Sequence, residues 1–71
     1  MAHPFAQMFD KALRKSTEDD NLVLEEAEAL RKKGYPVQEI YDVLKKLHQS
    51  LIAERDEAIV GEALEEFERY L

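Results

Sequence analysis

"LHQSLIAERDEAIV", residues 47–60, decides what this chain can build. If the stretch is one continuous helix, the C-terminal half of the chain becomes a single rod. If it breaks, the last segment folds back on the rest. Local signals pull both ways. Strong helix formers fill the stretch, and it holds neither glycine nor proline. Charge order points to a division. Glu39 and Asp42 come early, and Lys45, Lys46 and His48 come late, which matches a helix complementing its own dipole to the end. Ser50 then stands where a new N-cap would, with Glu54, Asp56 and Glu57 in the turns that follow.

The apolar pattern sharpens the choice. At about 100° per residue, the apolar positions from Val37 to Leu51 and those from Ile59 to Leu71 centre roughly a third of a turn apart. One straight helix over both would hold about 35 residues and be ~52 Å long, more than two shorter neighbours can cover. Ile59, Val60, Ala63, Leu64, Phe67 and Tyr70 would then need a second subunit. A break near residues 48–52 instead lets four short helices share one core. The charge order and the shifted apolar face favour the break.

Upstream, the elements are bounded by familiar punctuation. In "HPFAQMFDKALRKS", Pro4 fits a first helical position, where its missing N–H costs nothing, and His3 lies just ahead of it. Phe5, Met8, Phe9, Ala12 and Leu13 recur at helical spacing, and Arg14 and Lys15 suit the negative end of the dipole. The prediction is a helix over 4–15. "STEDDNLVLEEAEALRKKG" offers Ser16 or Thr17 as N-cap and a stripe of Val23, Ala27 and Leu30. Gly34 closes this segment after Arg31, Lys32 and Lys33, so a helix over 18–33 is expected. A third helix starts at Pro36 and runs over 36–49, and a fourth covers 51–70. The expected fold is all-α, a small helical bundle of three to four helices in one domain over 1–71, the last two fusing if the break fails.

Composition narrows function. At 71 residues the chain buries only about 60% of its unfolded surface, so close packing or self-association must reinforce it. Cysteine is absent, which removes disulfides, thiolate metal sites and thiol catalysis. The net charge of −6 disfavours nucleic acid and anionic membranes as partners. No apolar run is long enough to span a membrane, and a cytoplasmic location is expected.

One stretch does resemble a known motif. "AEALRKKGYPVQEIYDVLKKL", residues 27–47, is similar in part to a helix-turn-helix, with Gly34 in the turn and Ile40 and Val43 at apolar positions of the second helix. It departs from the motif at Leu30, where a small residue is usual, and at Pro36, where a polar cap is usual. The resemblance implies a DNA-binding regulator using residues 36–48, with Gln38, Lys45 and Lys46 on the reading face. Glu39 and Asp42 on that face would repel phosphates. The simpler reading is a corner between packed helices.

Chemistry has little to stand on. Glu25 and Glu28, and likewise Glu62, Glu65 and Glu66, are spaced as in carboxylate metal sites of bundles, but no Glu-x-x-His accompanies them. They read as solvated faces, with Glu28–Lys32, Asp42–Lys46 and Glu65–Arg69 as ion pairs one turn apart. His48 sits on the apolar stripe, where a packed ring at the core boundary is expected. Ser16, Thr17 and Ser50 lack a neighbouring base, and two of them look like caps. No catalytic, cofactor or metal residues are expected, and the chain is not expected to be an enzyme. The expectation is a protein–protein interaction or regulatory module that binds another protein or forms a homodimer. Self-association through the C-terminal helix makes Ile59, Val60, Ala63, Phe67 and Tyr70 the candidate interface.

Overall fold

The break is real, and the chain closes into four helices. The computed structural model describes residues 4–17 and 19–71, which leaves His3 and Glu18 outside it. Its elements are α1 (Pro4–Lys15), α2 (Leu22–Lys32), α3 (Val37–Ser50) and α4 (Glu54–Glu68). Every pair of helices is in contact, and the bundle measures 29 × 29 × 18 Å. α3 and α4 run antiparallel, since the Tyr41 hydroxyl near the start of α3 reaches Glu68 at the end of α4. α2 runs in the same sense as α4, with Asn21 tied to Ile59 at one end and Tyr70 to Glu28 at the other.

The core follows the apolar stripes. Phe9, Val23, Ile40, Leu44, Val60 and Phe67 are fully buried, at least one from each helix. Each such side chain is worth about 1.5–3 kcal/mol in removed apolar surface. Phe5 and Phe9 belong to this core, and Met8 packs against its edge. The closed bundle removes the need for a second subunit to cover the C-terminal helix.

The helix boundaries show which local rules won. α1 spans the expected residues. α2 begins at Leu22, four residues later than predicted, because Ser16 and Thr17 serve the corner rather than the cap. The N-cap is Asn21, whose side chain accepts from the Leu24 N–H at 2.9 Å. At the other end α2 closes as expected. Gly34 takes φ 104°, its N–H donates to the Arg31 carbonyl, and the Tyr35 N–H donates to the Leu30 carbonyl. Pro36 stands one position outside α3 as its N-cap, with its carbonyl accepting from Ile40 at 3.2 Å.

The α3–α4 connection is only residues 51–53. Leu51 turns to extended backbone, with ψ 145°, and ends α3. Ser50 does not cap the next helix. Its hydroxyl turns back to donate to the Leu47 carbonyl at 2.8 Å, and Ala53 stands at the N-cap of α4 with no side-chain bond.

Candidate functional site

The predicted interface residues are mostly inside. Ile59, Val60, Ala63 and Phe67 all lie in the core of one chain. The break at 51–53 lays α4 along α3 and α2, so the face that a long rod would leave for a partner faces its own bundle. Tyr70 alone of the five keeps a surface position, 44% exposed. Its ring stands edge-on to Phe67 at 5.4 Å, Arg31 lies over its face at 4.4 Å, and its hydroxyl donates to Glu28 at 2.9 Å. Self-association through α4 would therefore have to use the outward face of that helix.

The carboxylates take other partners than the sequence suggested. Glu28 pairs with Arg31 at 3.0 Å, and Glu66 pairs with Arg69 at 3.6 Å, both three residues apart. Asp42 accepts from the Gln38 amide at 2.9 Å instead of meeting Lys46. Among the described residues no three acids or histidines gather closely enough to hold a metal ion. The Tyr41 phenol donates to Glu68 at 3.1 Å, and that bond together with the nearby carboxylates pushes its pKa above the ordinary tyrosine value. Tyr70 is shifted the same way, first by its bond to Glu28, with Arg31 opposing. Both ties hold while the phenols stay protonated. They are lost in alkali, as the pH rises through each phenol's raised pKa.

His48 behaves as a boundary residue. It is half-buried, and its Nε2 lies 3.6 Å from the place where a Cβ on Gly61 would stand. A Cβ there would make only ordinary van der Waals contact with the imidazole.

Two features of the corners escaped the sequence reading. Asn21 donates its amide to the Ile59 carbonyl at 2.9 Å while capping α2. Arg55 donates a guanidinium N–H to the Ser16 carbonyl. Both join residues far apart in the chain, and no local pattern announces either.

Several large apolar side chains remain outside. Ile52, at the apex of the α3–α4 turn, is 95% exposed, Leu71 is 58% exposed and Tyr35 is 45% exposed. Tyr35 meets Phe5 edge-on at 5.0 Å, so half its ring covers the turn and half faces solvent. Between the starts of α1 and α3 runs an open groove of about 790 Å³. Ala6, Pro36 and Val43 supply its apolar lining, and Gln38, Glu39, Asp42 and Lys46 its polar rim.

The corner that resembles a helix-turn-helix brings α2 and α3 together, but α3 packs more broadly on α4 than on α2. Gln38, Glu39, Asp42, Lys45 and Lys46 are all exposed along α3. The face therefore carries both signs. No helix among the described residues is long and apolar enough to cross a membrane. Comparison with protein-family models, curated proteins and solved structures returned no match.

Proposed function

We propose that this chain is a non-enzymatic protein–protein interaction module, acting through the outer surface of a closed helical bundle. The observation that carries the reading is Ile52. Leaving an isoleucine in water rather than burying it forgoes about 2 kcal/mol. Here it stands 95% exposed on a three-residue turn, beside a core that buries Leu44 and Val60 completely. Half-exposed tyrosines at the opposite end of the bundle supply the kind of side chain that interfaces favour. The partner is another protein or a second copy of the chain, and the cytoplasm is the expected setting.

The test is retention of partners by the purified protein, comparing wild type with Ile52→Lys. The substitution touches no packed group and should leave the fold within about 0.5 kcal/mol of wild type. Loss of a retained protein by the folded variant is the expected result. Equal retention by both would refute the role of the turn. Nucleic acid that stays bound through high salt, and is lost on Lys45→Glu with Lys46→Glu, would replace this reading with DNA binding by α3.

A further inference from the structure

The exposed face of α3 is divided by sign along its length. Gln38, Glu39 and Asp42 occupy its first half, and Lys45, Lys46 and Gln49 its second, all exposed. Such an order complements the helix dipole. It also gives a two-fold contact an unusual fit. In an isologous dimer the same patch meets itself, and an axis perpendicular to α3 sets the two copies of the helix antiparallel. Every acid-bearing half then faces a lysine-bearing half. A parallel arrangement would oppose like charges.

We propose that α3 is a self-association surface, on which a second copy of this chain docks antiparallel. Glu39 and Asp42 of each copy then meet Lys45 and Lys46 of the other. The inference rests on reading the chain as an interaction module, and it names the partner for one face. Two further observations support it. Lys45 and Lys46 have no ion-pair partner among the described residues. The groove beside the acidic half suits a lysine chemically. Ala6, Pro36 and Val43 can cover an aliphatic stem, and Glu39 and Asp42 share the rim with the chain's own Lys46. One pair of 14-residue helices is a small contact, so the dimer is weak and depends on low salt.

Light scattering over a concentration series, at low and high ionic strength, tests this with two charge-reversed variants. One carries Glu39→Lys with Asp42→Lys, and the other Lys45→Glu with Lys46→Glu. All four positions are exposed, and circular dichroism verifies that each variant folds. The expected result is a salt-sensitive wild-type dimer, monomeric variants when each is alone, and a one-to-one heterodimer when they are mixed. A dimer unchanged in both variants would overturn the α3 face and leave the module reading standing. A wild type that stays monomeric at low salt would also overturn the proposal. The module reading would then rest on the separate Ile52 experiment.

Discussion

At the C-terminal end of α2 the chain turns on its own backbone, and at the N-terminal end it turns on side chains. After Lys33 two main-chain bonds and a left-handed glycine complete the reversal. Before Leu22 the chain needs help from a distance. Ser16, only 3% exposed, donates to the Ala12 carbonyl at 2.8 Å and accepts from the Leu22 N–H at 3.0 Å. Thr17 and Asp20 exchange backbone bonds, Asn21 caps α2, and α4 grips the corner through Ile59 and Arg55. One corner is closed by local backbone bonds, while the other adds to its local bonds two from a helix later in the chain.

That difference sets the sizes of their failures. Replacing Asn21 by alanine removes a cap worth about 1 kcal/mol and a long-range bond worth about as much again. The expected loss is about 2 kcal/mol, or roughly 8–16 °C in the thermal midpoint of a domain this small. Asn21→Ser separates the parts, because serine still caps but cannot reach across to Ile59. It should recover about half of the loss. If alanine and serine cost the same, the tie to α4 dominates and the cap contributes little. Thermal and urea unfolding followed by circular dichroism would decide.

The local corner should fail more gently. A Cβ on Gly34 would meet nothing within 4 Å, so the whole cost of Gly34→Ala is the left-handed backbone at φ 104°. That cost is about 1–2 kcal/mol, and asparagine, which tolerates the conformation better, should lose less. A larger loss, or one equal for both residues, would mean the turn carries tertiary strain and is not a local device.

The same contrast explains what could be read in advance. The α2–α3 corner was legible because glycine, tyrosine and proline act on their neighbours. The bundle itself was legible because the apolar stripes of Phe5–Leu13, Val23–Leu30 and Val37–Leu51 report a shared core, and the offset face of Ile59–Phe67 reports a fold-back. The start of α2 was misplaced because Ser16 and Thr17 satisfy the local rule for a cap. They were outcompeted by a buried hydroxyl bond and by Asn21, whose second partner lies 38 residues away. The surface was less legible still. Periodicity marks Ile59 and Phe67 as sticky without saying whether a partner or the chain itself covers them, and Ile52 is exposed only because the turn happens to point it outward.

The third corner lies between these extremes. Residues 51–53 reverse the chain with neither a glycine nor a side-chain cap, so the start of α4 leaves a stabilising opportunity unused. Ala53 already has N-cap geometry, with φ −71° and ψ 132°. A hydroxyl there would reach the exposed N–H groups of the first turn, where Glu54, Asp56 and Glu57 already favour the dipole. Ala53→Ser should therefore stabilise the fold by about 0.5–1 kcal/mol and raise the thermal midpoint by a few degrees. No gain would mean that the turn is held by the packing of Leu51 and α4 rather than by its ends. This corner would then belong with the distant kind, despite being the shortest of the three.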